Sequence, residues 1–105
     1  MTSAVPDRTV VLHMSGYAFN DSNPTLTSRP GERVRFVLQN DEETHILHDF
    51  RFVGFAAPPE SAILPGESRT FVVTMPRAGT YGYACITHRG MGGAVVVTGR
   101  ASNDR

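Results

Sequence analysis

The sequence has no second cysteine, no lysine, no excess of charge and no long apolar run. Each absence excludes something. With Cys85 as its one cysteine, the chain can form no internal disulfide, and its fold must rest on a packed core. A chain of 105 residues can bury roughly two-thirds of the surface its unfolded form exposes, enough for one domain without staples. Ten basic and ten acidic residues cancel, so neither a nucleic-acid groove nor an anionic membrane surface is an expected partner. All ten basic residues are arginine, and no mechanism follows from that. No stretch approaches the ~20 apolar residues of a membrane span, so membrane insertion is not expected. Met1 leads into the polar stretch Thr2-Ser3-Ala4-Val5-Pro6-Asp7, which has no apolar core of an export signal. The chain therefore reads either as cytosolic or as a mature domain whose export signal has been removed.

What is present reads as β-structure. Short β-rich runs alternate with Gly, Pro, Asn and Asp: Arg8–Met14, Arg33–Asn40, Leu47–Val53, Ser68–Met75, Thr80–Ala84 and Ala94–Thr98. Thr25–Ser28 adds a short edge strand. Turn signals stand at Arg29-Pro30-Gly31-Glu32, Leu64-Pro65-Gly66-Glu67 and Pro76-Arg77-Ala78-Gly79. No segment sustains a helical period, and Gly54–Ile63, with Pro58-Pro59, is expected to be a loop or one helical turn. Seven to eight short strands at regular spacing imply an all-β, Greek-key, two-sheet sandwich or barrel. One domain is expected over residues 1–105, with 100–105 as a flexible tail.

Period-two reading assigns the faces. In His48-Asp49-Phe50-Arg51-Phe52 the set His48, Phe50 and Phe52 shares one face, which must be the core side. In Tyr81-Gly82-Tyr83-Ala84-Cys85 the two tyrosines and the cysteine share a face. His48 and Cys85 thus each end an inward-pointing row where a strand gives way to a loop.

The chemistry is concentrated in Cys85-Ile86-Thr87-His88-Arg89-Gly90-Met91. A thiolate, an imidazole and a thioether recur at every third position. That donor set suits copper in both oxidation states. Gly90, Gly92 and Gly93 permit the tight backbone such a loop needs. A further ligand must come from another strand, and His48 has the right face and the right end-of-strand position.

These residues resemble those of a cupredoxin, and the Cys-x-x-His-x-x-Met loop is similar to the short ligand loops of the amicyanin and pseudoazurin group. The likeness extends along the chain. Pro30-Gly31-Glu32-Arg33-Val34-Arg35-Phe36 resembles the entry to the family's third strand, and Asn40-Asp41 with His48-Asp49-Phe50 its first-ligand region. Ala78-Gly79-Thr80-Tyr81-Gly82-Tyr83-Ala84-Cys85 is similar to the strand leading to the copper cysteine, and Met91-Gly92-Gly93-Ala94-Val95-Val96-Val97 to the closing strand. The resemblance implies one type 1 copper per chain, with Cys85, His48 and His88 in a trigonal plane and Met91 as a long axial ligand. It also implies a monomeric one-electron carrier outside the cytoplasm, cycling Cu(II)/Cu(I) between a redox protein donor and acceptor that dock transiently near His88. Ile86, Gly90, Met91 and Gly92 would supply the apolar patch, and Arg89 would favour an acidic partner surface. Two positions depart from the family. Asp49 replaces the usual asparagine that braces the ligand loops, and an ionised carboxylate accepts but cannot donate. Thr87 stands where many members carry proline. Both touch groups that tune a metal site.

Rival readings differ in what they require. His45 lies three residues before His48 on the opposite strand parity, after Asp41-Glu42-Glu43-Thr44, a stretch that reads as solvated, so His48 is the expected ligand. A second, weaker copper or zinc contact at His45 has no support in the pattern. His13 reads as structural, and Tyr81 and Tyr83 as core residues. Cys85 with His88 could suggest a nucleophile pair, but no orienting group or oxyanion loop accompanies them, so the chain is not expected to be an enzyme. A copper nitrite reductase needs a second copper site that the four histidines present cannot also fill. A binuclear copper centre needs two cysteines. Zinc could take a Cys-His-His set, but methionine as fourth ligand argues for copper. The remaining competitors are a copper-handling protein that binds, delivers or senses the metal with the same ligands, and a copper domain of a larger membrane-anchored or oxidase-linked protein.

Overall fold

Alternation of apolar and polar side chains is most regular in Arg33-Val34-Arg35-Phe36-Val37-Leu38-Gln39-Asn40, where Val34, Phe36, Leu38 and Asn40 are the buried set. In the computed structural model, which describes residues 6–99, this run is one of nine strands. They are β1 (Arg8–Ser15), β2 (Ala18–Phe19), β3 (Leu26–Ser28), β4 (Arg33–Asn40), β5 (His48–Val53), β6 (Glu60–Ile63), β7 (Ser68–Thr74), β8 (Gly79–Ala84) and β9 (Gly92–Val97). There is no helix among the described residues, and none is therefore long and apolar enough to cross a membrane. The tail expected at 100–105 lies outside the described residues.

The strands form two sheets, ordered β2-β1-β4-β7 and β3-β9-β8-β5-β6. Most neighbours are antiparallel, but β1 runs parallel to β4 and β3 parallel to β9. Parallel partners cannot be joined by a hairpin, so the chain must cross between the sheets. That crossing makes the two-sheet, all-β sandwich expected from the strand spacing.

The inner faces are filled from both sides. Leu12 and Met14 of β1 stand opposite Leu38 and Asn40 of β4, while Phe50 and Phe52 of β5, Tyr83 of β8, and Val95 and Val97 of β9 close the core from the second sheet. The Phe50 ring lies 5.7 Å from Phe19, 5.0 Å from Phe52 and 5.9 Å from Tyr83 between centroids. Deleting a buried ring of this kind typically costs about 3–5 kcal/mol. His48 and Cys85 end the two rows that carry these aromatics, so core packing also sets where both side chains point.

Two short strands were not evident from pattern. β2 has two residues and is held by β1 through Met14 opposite Phe19. The stretch expected as a loop or helical turn contains β6, which pairs with β5 through His48 opposite Ile63 and a register shift before Phe50. Only Ile63 of β6 is buried. Its sequence carries no alternation, and the pairing is imposed by the exposed edge of β5.

Candidate metal centre

His48 opens β5 beside the buried end of β4. Asn40, fully buried there, donates from Nδ2 to the carbonyls of Ile46 (3.0 Å) and Ile63 (2.8 Å), and its Oδ1 accepts from the Glu42 amide at 3.0 Å. These bonds fix the loop between β4 and β5. The His48 ring is 1% exposed. Its Nε2 lies 2.9 Å from Oε2 of Glu42, an acceptor, so this nitrogen carries the hydrogen. Nδ1 is left facing Sγ of Cys85 at 3.9 Å.

Cys85 follows β8, and the loop after it is closed by its own backbone. The Cys85 amide donates to the Met91 carbonyl at 2.9 Å, and the Met91 amide to the His88 carbonyl at 3.1 Å. Gly90 takes φ +85° in this turn, a conformation that favours glycine. A Cβ on Gly92 would meet the Tyr83 carbonyl at 2.4 Å, so β9 can leave the loop this close to β8 only with glycine there. Asn23 holds the loop from outside, accepting from the Gly92 amide at 3.3 Å and donating to the Gly90 carbonyl at 3.4 Å.

The third donor, His88, is half-buried. Its Nε2 donates to the Leu47 carbonyl at 2.9 Å, which leaves Nδ1 as the free lone pair. The rings of His48 and His88 meet edge to face at 5.0 Å. One ligand atom from each of His48, Cys85 and His88 lies within 4.8 Å of the others. His48 of β5 and Cys85 and His88 of the loop after β8 are therefore brought together. Met91 is 2% exposed and packs in the same core cluster as Cys85. His45 is exposed. His13 is paired with Asp41 at the surface, Nδ1 to Oδ2 at 2.7 Å.

Burial pushes the Cys85 thiol above its usual range, opposed by hydrogen bonding from the Asp49 amide and reinforced by the Asp49 carboxylate nearby. That amide points at Sγ from 3.4 Å, a donor suited to a sulfur that carries charge. A soft sulfur and two imidazole nitrogens with free lone pairs form a set that copper or zinc can use.

The two departures at Asp49 and Thr87 prove to be partners. The Asp49 carboxylate accepts from the Ile86 amide, the Thr87 amide (3.3 Å) and the Thr87 hydroxyl. Burial raises its pKa, but the Thr87 hydroxyl and the two amides outweigh burial and hold it below the usual range. The Asp49 side chain thus braces the loop purely as an acceptor. Proline at 87 could offer neither the amide nor the hydroxyl.

Other features were misread or missed in the sequence. Met91 offers no surface, so the expected docking patch loses it. The exposed apolar residues around His88 are Ile86 (60%), Leu47 (44%) and Tyr17 (53%), and the Tyr17 ring packs edge-on against His88 at 4.8 Å. Glu42 sits in Asp41-Glu42-Glu43-Thr44, a run whose composition reads as solvated, yet its side chain is only 12% exposed. No local signal separates it from Asp41 and Glu43.

No protein-family model and no curated protein matches the chain. Solved structures do. Auracyanin B superposes with a TM-score of 0.77 at 20% identity over 93% of this chain and 94% of that one. A mutant of amicyanin in its reduced Cu(I) form matches with a TM-score of 0.60 at 26% identity, covering 90% of this chain and 87% of its own. The chain folds as a cupredoxin. The same fold appears within a copper nitrite reductase from Nitrosomonas europaea, with a TM-score of 0.72 at 24% identity over 91% of this chain but only 42% of that one. In this cupredoxin fold His48, Cys85 and His88 make the candidate metal centre, with Met91 buried in the same core cluster as Cys85.

Proposed function

We propose that the protein is a one-electron carrier holding a single copper through His48, Cys85, His88 and Met91, a monomer that works outside the cytoplasm. The observation that carries this reading is the convergence of three donor atoms within 4.8 Å, with both histidines tied through Nε2 so that Nδ1 is free. Copper, when bound, supplies the Cu(II)/Cu(I) couple. The protein supplies a cage that is fixed before metal arrives. His48 is held by Glu42, His88 by Leu47, Sγ by the Asp49 amide, and the loop by the Cys85–Met91 backbone bond. A donor set locked by hydrogen bonds moves little when the metal changes charge, and a small rearrangement is what rapid electron transfer needs.

His88 is the donor nearest the surface, and Tyr17, Leu47 and Ile86 make the apolar surface beside it. A redox partner docking there would meet a short route to the metal. Exposed Arg89 would favour acidic partners. Among the described residues this is the one group of three His, Cys, Asp or Glu side chains able to hold a metal.

The test is the visible absorption spectrum of the purified protein after Cu(II) addition, repeated with Cys85→Ser. An intense thiolate-to-copper band that vanishes in the variant supports the type 1 site. A colourless wild type that still binds metal overturns the carrier reading in favour of copper or zinc handling.

A further inference from the structure

Glu42 holds more than one element of the site. The same oxygen, Oε2, that takes the hydrogen of His48 Nε2 at 2.9 Å also accepts from the Gly16 amide at 3.1 Å. Gly16 and Tyr17 are the two central residues of the turn between β1 and β2, with φ +61° and +63°. Such turns favour glycine and asparagine at both positions, and a tyrosine there is held in a conformation that L side chains resist. The strained position coincides with a contact, since the Tyr17 ring packs edge-on against His88 at 4.8 Å. Strain of this kind persists where surrounding structure enforces it. The Gly16–Glu42 bond is one such enforcing contact. Glu42 is in turn held by Asn40, whose Oδ1 accepts its amide.

We propose that Glu42 is a positioning residue that couples the two histidines, holding His48 directly and His88 through the Gly16–Tyr17 turn, with a single carboxylate oxygen. The inference rests on the copper-carrier reading for its redox consequence but not for its structural one. A carboxylate hydrogen-bonded to a ligand imidazole makes that ring a stronger donor and favours the more highly charged state of the metal. The same oxygen sets Tyr17 over the outer ring, so one side chain governs both the redox equilibrium and the cover on its exposed edge.

Three variants separate these effects. Glu42→Gln keeps an oxygen acceptor of the same size without the charge. It is expected to move the Cu(II)/Cu(I) equilibrium towards Cu(I) by about tenfold, which is ~59 mV for one electron, while leaving the turn in place. Glu42→Ala removes the acceptor and is expected to abolish Tyr17–His88 contacts in proton NMR of the metal-free protein. Tyr17→Ala is expected to shift the His88 ring protons without moving the redox equilibrium more than about twofold. An unshifted equilibrium in Glu42→Gln, or intact Tyr17–His88 contacts in Glu42→Ala, overturns the proposal. A wild type without a thiolate-to-copper band overturns the carrier reading instead, and the metal-free NMR comparison still tests the coupling.

Discussion

His48 and His88 stand with their rings 5.0 Å apart, yet they are held by different means. His48, 1% exposed, gives its Nε2 hydrogen to a carboxylate. His88, half-buried, gives the same hydrogen to the neutral carbonyl of Leu47. The difference follows from depth. A ring in the core has no water to fall back on, so its bond to an ionised acceptor is stronger and costlier to lose. The ring near the surface needs only orientation, which a carbonyl and an aromatic edge provide. One histidine belongs to the scaffold and the other to the loop.

Replacing each ring in the metal-free protein tests that contrast most severely. His48→Ala is expected to cost about 3 kcal/mol, from the lost charge-assisted bond and the cavity left beside Phe50. His88→Ala is expected to cost about 1 kcal/mol. Urea unfolding of both variants measures the difference, and equal losses would dissolve the distinction between scaffold and loop.

The Asp49–Thr87 brace comes next in size. Asp49→Ala is expected to cost about 1.5 kcal/mol and Thr87→Val less, with a coupling energy on the order of 1 kcal/mol in the double-mutant cycle. Additive losses would show that the two residues act separately.

At the far end of the sandwich a second clasp offers a contrast in pH. Glu32 accepts from Arg8 of β1 at 3.0 Å, from the Ser28 hydroxyl of β3 at 2.8 Å and from the Arg29 amide at 3.1 Å, so it bridges the sheets. Burial pushes its pKa up, but Arg8, Ser28 and Arg29 together hold it below the ordinary value of 4.5. A native carboxylate with a depressed pKa binds fewer protons than the unfolded chain does. Its stabilisation is therefore present above the unfolded pKa and lost as pH falls through the native one. Acid titration of stability should show Glu32→Gln with a flatter acid limb than the parent, and an unchanged limb would remove Glu32 as a source of the pH dependence. The smallest expected effect is at His45, where alanine should alter stability by no more than about 0.5 kcal/mol and leave metal affinity unchanged in a competition titration.

Much of this was legible in the chain. The alternation in Arg33–Asn40 marks β4 with its observed bounds. The rows ending at His48 and Cys85 point inward, because Phe50, Phe52 and Tyr83 must be buried and a strand has period two. Elements without such a pattern were not legible. β6 exists because β5 offers it an edge, and β2 because a two-residue turn folds it back on β1. Glu42 looks like its exposed neighbours in sequence, and only the approach of Gly16 and His48 makes it part of the site. Tyr17 lies far along the chain from His88, and nothing local relates the two.

The sequence by itself determined which side chains could serve as donors, because thiol, imidazole and thioether are chemical identities and their every-third spacing is covalent. It also determined the β character and the inward faces, through a periodicity that burial enforces locally. The tertiary structure decided which groups surround those donors. The carbonyl on His88, the Asp49–Thr87 brace and the Tyr17 cover all join segments distant in sequence, and the carboxylate on His48, though only six residues away, depends on how the loop between β4 and β5 folds; contacts of these kinds leave no periodic trace.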